Sequence, residues 1–205
     1  PELDPQTLRA HAPTPKGAVA EGCIKYVPAL EQLEQALPQD RILVSDGGRF
    51  MTEVWCRISA PGPRSFVNTA NFGSIGLGMP EAIGAAIAAP DRPVVLFSGD
   101  GGFMMGGLTE FNTAVRLKQD LVVILCNDSA YGAEHIQFLD RQMDPALTEF
   151  DWPCFANVAT SLGGRGVLVR SEADLQKALA AIEVRDRPLL IELRLDPHDV
   201  PRMRM

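Results

Sequence analysis

Asp100 stands in a turn whose other features suit an anion. The run Gly99-Asp100-Gly101-Gly102-Phe103-Met104-Met105-Gly106-Gly107 places five glycines between an apolar strand-like segment, PVVLFS, and the helical pattern LTEFNTAVRLK. Glycines let a backbone come close to a ligand, and the first N–H groups of the following helix, with the positive end of its dipole, attract phosphate. A carboxylate in the same turn is compatible with phosphate oxygens only if a hard divalent cation lies between them. The next apolar run, LVVILC, ends in Asn127-Asp128-Ser129-Ala130-Tyr131-Gly132. Neighbouring parallel strands would bring that turn beside Asp100. Asp100, Asp128, a backbone carbonyl and two diphosphate oxygens form a reasonable octahedral set for an ion of magnesium's size. Asp and Asn after strands also simply cap helices and close turns, so on these two turns alone a phosphate role and a structural one stand level.

The elements that must position these turns can be read from periodicity. Strand-like runs occur at Ile42 to Ser45, Ser65 to Asn68, Val94 to Ser98, Leu121 to Cys126, Gly166 to Val169 and Leu189 to Leu193. Helical patterns are expected at Pro28 to Pro38, Phe50 to Ile58, Met79 to Ala89, Leu108 to Lys118, Cys154 to Leu162 and Ser171 to Val184, the last with Ser171 as cap and Asp174 three residues on. Strands that are apolar throughout, alternating with helices, predict a doubly wound α/β domain: a mostly parallel six-stranded sheet with helices on both faces. In such a sheet ligands bind beyond the carboxyl ends of the strands, where both turns lie. Residues 1–28, with five prolines and no periodicity, read as a linker or strap from a preceding domain; 29–196 form the binding domain and 197–205 a tail.

The blocks GDGG (Gly99 to Gly102) and NDSAYG (Asn127 to Gly132) resemble, in order and spacing, the GDG...NN signature of thiamine diphosphate enzymes. A third block, NFGSIGLGMPEAIGA (Asn71 to Ala85), is similar to the glycine-rich stretch that precedes GDG in that family. The resemblance extends from Leu30 to Leu195 and is nearest to the group of acetolactate synthase, pyruvate decarboxylase and benzoylformate decarboxylase. It implies the diphosphate- and metal-binding domain of an enzyme acting on 2-oxo acids, by acetolactate synthase-like carboligation or by decarboxylation.

Residue by residue, the resemblance implies Asp100, Asp128 and the carbonyl of Ala130 as ligands of Mg2+ or another divalent cation. Gly99, Gly101, Gly102, Tyr131 and Gly132 then belong to the cofactor-binding turns. Gly73 would accept a hydrogen bond from the aminopyrimidine, next to Ser74, and Ile75 would wedge between the two rings to hold them bent; without the resemblance, Ile75 reads as core. Gly48 and Arg49, in the turn Ser45-Asp46-Gly47-Gly48-Arg49, fall where the family places a diphosphate contact, although the family usually has Gln there. Arg49 suits either a bidentate phosphate contact or a solvated helix position, the second slightly favoured; Asp46 reads as a cap. Glu134 and His135 are the catalytic candidates on the thiazolium side, with an exposed helix N-terminus as the alternative. Two departures stand out. Asp128 replaces the usual Asn, adding a charge, and Glu110 lies one residue too far from Asp100, which predicts a small bulge after GDGG.

The resemblance also assigns the activating Glu, which hydrogen-bonds the pyrimidine, to a pyrimidine-binding domain that nothing in this sequence matches. That domain is expected in a missing N-terminal part or in a partner subunit, and a homo-oligomer is expected. A separately encoded subunit of a two-chain 2-oxo acid decarboxylase and a non-catalytic thiamine diphosphate-binding module are the alternatives. FAD is left open, since acetolactate synthases hold it largely in another domain. The net charge of -7 and the lack of a basic cluster argue against nucleic acid and anionic membranes as partners. No apolar run is long enough to span a bilayer and no signal peptide is visible, so a cytoplasmic protein is expected. The four cysteines, Cys23, Cys56, Cys126 and Cys154, form no close pair and are expected to be reduced and structural; His11 and His198 carry no assigned role.

Overall fold

Six strands, every one apolar on at least one face, align in parallel in the computed structural model, which describes residues 18–68 and 73–200. They are β1 (Ile42–Ser45), β2 (Phe66–Asn68), β3 (Val94–Gly99), β4 (Leu121–Asn127), β5 (Arg165–Val169) and β6 (Leu189–Arg194). The sheet order is β2-β1-β3-β4-β6-β5. The chain therefore leaves β1 in one direction to reach β2 and in the other to reach β3, which makes the gap between the ends of β1 and β3 the topological switch point.

The sheet is covered on both faces, and alternate residues of each strand serve opposite cores. On one face Leu43, Val95, Phe97, Val122, Ile124 and Ile191 pack against α1 (Tyr26–Ala36), α2 (Met51–Arg57) and a C-terminal helix, Glu172–Glu183. On the other, Val44, Leu96, Val123, Leu125 and Leu190 pack against α3 (Gly78–Ala88), the helix Leu108–Arg116 and the helix Phe155–Ser161. Every residue of β4 is buried, which is why its sequence is one continuous apolar run rather than an alternation. Numbering continues with α4 (Asp100–Gly102), α5 (Leu108–Arg116), α6 (Gly132–Asp140), α7 (Phe155–Ser161) and α8 (Glu172–Glu183), plus a 3-10 turn at Pro145–Thr148. The α8 cap is as expected, Ser171 Oγ accepting from the Asp174 N–H at 3.3 Å.

All six strands and six of the helices follow the periodicity. Helix α6 does not, because His135 is its only buried residue and a helix lying on the surface leaves no apolar stripe to detect. The start of the fold also differs from the expected linker. Ile24 N–H donates to the Arg194 carbonyl at 2.9 Å, and Tyr26, fully buried, donates to the Phe50 carbonyl at 2.9 Å, so α1 begins at Tyr26 and the preceding residues are already anchored. At the other end, Asp199 accepts from the Tyr26 N–H at 3.0 Å and Val200 is buried, which ties the first part of the expected tail to the fold. Residues 1–17 of the expected linker, with His11, and 201–205 of the tail lie outside the described residues, as do Asn71 and Phe72 of the third glycine-rich block. The four cysteines are free. Among the described residues, no helix is long and apolar enough to cross a membrane.

Candidate cofactor and metal site

The register of the central strands sets the site. Gly99 on β3 pairs with Cys126 on β4, so Asp100 and the Asn127-Asp128 turn emerge side by side at the carboxyl end of the sheet. A cavity of about 440 Å3 opens there, within the size range of small-molecule cofactor pockets. It is lined from β1 by Gly48 and Arg49, from the glycine-rich block by Gly73, Ser74 and Ile75, from β3 by Gly99, Asp100, Gly101 and Gly102, and from β4 by Asp128, Ala130, Tyr131, Gly132 and Glu134. Of the catalytic, cofactor and metal candidates, His135 alone is not in the lining. It is buried, with Nδ1 3.2 Å from Thr148 Oγ1 and 3.7 Å from Glu149 Oε1. Glu134, one residue earlier in the first turn of α6, is exposed at the cavity edge.

The one-residue excess between Asp100 and Glu110 appears as a π-helical turn, Phe103–Gly107, joining α4 to α5. A π turn takes up one extra residue without changing the register on either side. It also allows contact with the glycine-rich block. Gly76, at φ +86°, lies against this turn so closely that a Cβ on Gly106 would sit 2.3 Å from the Gly76 carbonyl oxygen. Gly101 is similarly confined: a Cβ there would meet the Tyr131 ring at 2.5 Å.

Asp46 holds the three turns together. Its carboxylate is buried and accepts from Gly47 N–H at 2.8 Å, from Gly76 N–H at 3.1 Å and from Ser98 Oγ at 3.1 Å. It thus bridges β1, the glycine-rich block and β3, and α2, which has no side-chain cap, starts without it. Arg49 is likewise not solvated. It is 6% exposed, its guanidinium donates to the Val200 carbonyl, and it faces Asp128 across Gly132.

Asn127 shapes the second turn. Its Oδ1 accepts from Ser129 N–H at 3.1 Å, while its Nδ2 donates at 2.7 Å to Glu192, a fully buried carboxylate on β6 that also accepts from the N–H of Ala156. Ser129, at φ +59°, completes the turn and leads to Ala130. A segment from the 3-10 turn then straps it down: Tyr131 N–H donates to the Thr148 carbonyl, Phe150 N–H donates to the Ser129 carbonyl, both at 2.9 Å, and Ala130 pairs with Glu149 in an antiparallel bridge.

The two acidic groups are held under electrostatic stress. Burial pushes the Asp100 carboxyl well above the usual carboxylate range, and the neighbouring Asp128 pushes it further, while hydrogen bonds from Trp152 and the Gly101 backbone pull the other way. Burial raises Asp128 as well, opposed first by Arg49. Among the described residues no group of three or more His, Cys, Asp or Glu side chains could hold a metal ion. Two carboxylates and a carbonyl turn are, however, a fitting partial shell for a hard cation that takes its other oxygens from phosphate and water.

Residues 46–193 match the family model described as thiamine pyrophosphate enzyme, C-terminal TPP binding domain. The chain is 35% identical over 162 residues to the acetolactate synthase isozyme 1 large subunit of Escherichia coli (strain K12), covering 77% of this chain and 28% of that one. It is 30% identical over 209 residues to 2-hydroxyacyl-CoA lyase 2 of Caenorhabditis elegans, covering 97% of this chain and 32% of that protein. The solved structure of Rhodococcus jostii RHA1 thiamine diphosphate-dependent 4-hydroxybenzoylformate decarboxylase superposes with a TM-score of 0.76 at 26% identity, over 90% of this chain and 35% of that one. The chain belongs to the thiamine diphosphate enzymes, as their C-terminal cofactor-binding domain. It spans about a third of the length of the relatives it matches.

Cavity residues that the sequence did not single out are Phe50, Met51, Trp55, Asn68, Ala133, Leu195 and Val200, and Cys126, read there only as a structural cysteine, lines it as well. They reach the site through the packing of neighbouring elements, and no local pattern marks them. The roles of Asp46, Glu192 and Trp152 are in the same class, with the exception that a buried acid in an apolar strand, as in LLIEL, is itself a signal for an internal hydrogen-bonding duty.

Proposed function

We propose that this chain binds thiamine diphosphate through a divalent cation, Mg2+ by preference, held by Asp100, Asp128 and the Ala130 carbonyl, and that it serves an enzyme acting on 2-oxo acids. The observation that carries the reading is the pair of carboxylate turns, Asp100 buried and Asp128 half-buried, at the carboxyl ends of the neighbouring strands β3 and β4, facing a glycine-lined cavity. Two acids raised by burial, Asp100 also by the proximity of Asp128, gain most from a cation, and a cation there gains most from a diphosphate. Gly101 and Gly102 offer backbone N–H groups to that diphosphate, and Gly48, Gly99, Tyr131 and Gly132 shape the wall around it. Arg49 is buried in that wall, where its charge offsets the second carboxylate as well as the phosphates. Gly73 and Ser74 would meet the pyrimidine, and Ile75, half-buried and in the cavity wall, would wedge between the two rings.

When bound, the cofactor supplies the electron sink for cleaving or forming a bond next to a carbonyl. The chain's own work is to anchor, bend and partly desolvate it. Glu134, at the cavity edge, is placed to hold or relay a proton; His135 acts at most through Thr148 and the strap. The activating acid belongs to a pyrimidine-binding domain elsewhere in the protein or in a partner. Leu77, Met104 and Met105, exposed by 41%, 39% and 64% and close in the chain to the lining residues Ile75 and Gly102, offer an apolar surface for such a domain. The relatives include synthases, lyases, acetyltransferases and decarboxylases, which favours carboligation or decarboxylation by the whole protein.

Titration calorimetry of this chain with MgCl2 and thiamine diphosphate tests the proposal. Binding is expected to need both, and Asp100→Ala to abolish the metal-dependent part. Tighter binding of ATP or a dinucleotide would overturn it. Cofactor binding with no activity, even when a pyrimidine-binding domain is supplied, would favour a non-catalytic binding module.

A further inference from the structure

Trp152 connects the strap to the first carboxylate. Its indole N–H donates to Asp100 Oδ2 at 2.8 Å, and the ring is held flat against Phe150, with centroids 4.5 Å apart and an interplanar angle of 15°. Phe150 in turn meets Tyr131 edge-on at 4.6 Å, and Tyr131 covers Gly101. The same five-residue segment that clamps the Ala130 turn through its backbone thus reaches Asp100 through a side chain. The indole has two rotatable bonds, a stacked neighbour and a buried acceptor, so its proton is delivered to one oxygen in a fixed direction.

We propose that Trp152 is a specificity-determining positioning residue for the cation: by occupying Oδ2 it leaves Asp100 to bind the ion through a single oxygen, which favours Mg2+ over Ca2+. Mg2+ demands a near-ideal octahedron and takes carboxylates through one oxygen, whereas Ca2+ accepts more ligands and readily takes both oxygens of one carboxylate. A hydrogen bond from outside the coordination shell that fixes the free oxygen is the kind of contact whose loss typically costs about 10- to 100-fold in metal affinity. This inference rests on Asp100 being a cation ligand.

The test is the concentration of MgCl2 and, separately, of CaCl2 needed for half of the thermal shift of this chain in saturating thiamine diphosphate. Trp152→Phe keeps an aromatic ring on Phe150 and removes the donor. Its half-saturation by Mg2+ is expected to rise about 10-fold or more and that by Ca2+ to change much less, moving the preference toward Ca2+. Phe150→Leu loosens the stack but keeps the donor, and is expected to change the ratio of the two cations much less than Trp152→Phe does. Equal shifts for both cations, no shift, or the same change of ratio in Phe150→Leu would overturn the proposal, since each is what a merely structural role produces. If phenylalanine does not sustain the fold, benzothienylalanine at position 152, with sulfur in place of N–H in a ring of the same shape, makes the same measurement. Should the wild-type chain show no cation-dependent shift at all, the metal assignment of Asp100 falls and this proposal with it; a wild-type shift with an unchanged ratio removes only the proposal.

Discussion

Burial of the Asp100 and Asp128 carboxyls makes this end of the sheet a source of instability, and the direction of their shifts determines how that instability depends on pH. A carboxyl whose folded-state pKa lies above its unfolded value binds its proton more tightly in the folded chain. Stability is then undiminished below the ordinary carboxylate pKa, ~4, and falls as pH rises toward neutrality, where both groups lose their protons. Asp100→Asn removes one charge and keeps an acceptor for Trp152. It is expected to stabilise the cation-free chain by about 1–3 kcal/mol at neutral pH, with the gain vanishing at pH ~4, and to lose the stabilisation by Mg2+ and thiamine diphosphate. Scanning calorimetry at the two pH values, with and without ligands, checks both halves; a destabilised Asn variant would mean that the buried charge of Asp100 carries no net penalty. Residues such as these were legible in the sequence because their chemistry was out of place: an acid among glycines, a second acid where an amide is usual. Trp152 was not, because its partner is 52 positions away and only the fold supplies the contact.

At the scale of elements, the π-helical turn Phe103–Gly107 shows how one extra residue is accommodated where it does least harm. Met105 is its most exposed large side chain, at 64%, while Phe111 and Ala114 of α5, further along the chain, are buried in the core. Deleting Met105 is expected to turn the segment into regular α-helix, keep Phe111 in register, and change stability by no more than about 1 kcal/mol. Urea unfolding measures it; a loss comparable to removing a core aromatic, roughly 3–5 kcal/mol, would show that the turn is a required part of the packing against Gly76. The bulge itself was foreseeable from the spacing of Asp100 and Glu110, and the strands from their apolar runs. Helix α6 and the strap were not. They lie on the surface and are held by backbone pairing to the Ser129–Tyr131 turn, so neither carries a hydrophobic period. Arg49 misled for the opposite reason: an arginine in a polar turn suggests solvent, and only the closing of the chain over it by Val200 buries it.

For the whole molecule, the chain's share of its relatives' length and the exposed Leu77, Met104 and Met105 bear on what this domain can do by itself. With thiamine diphosphate and Mg2+, this chain alone is expected to release no carbon dioxide from pyruvate or benzoylformate beyond the free cofactor in buffer. Activity is expected to appear when a pyrimidine-binding domain carrying the activating acid covers the site. Measuring labelled carbon dioxide with and without that domain decides it, and turnover by the chain alone would require an acid within it, with Glu134 the first to substitute. Fold class, strand order of appearance and the end of the sheet that holds the site all followed from the alternation of apolar strands and helices, since that pattern admits few topologies. The identity of the substrate has no such pattern behind it.

The position of β6 in the sheet, between β4 and β5, has a consequence for how the protein is made. A growing polypeptide emerges from the ribosome amino end first, so β4 exists for some time with its inner edge open, and that edge is the run LVVILC, a template for pairing with other chains. It is sealed only when Leu189–Arg194 arrives, and with it Glu192, the anchor of Asn127. Protection against aggregation and assembly of the second carboxylate turn therefore come from the same late segment, so a nascent chain has nothing to gain from meeting its cofactor before it is safe from its neighbours.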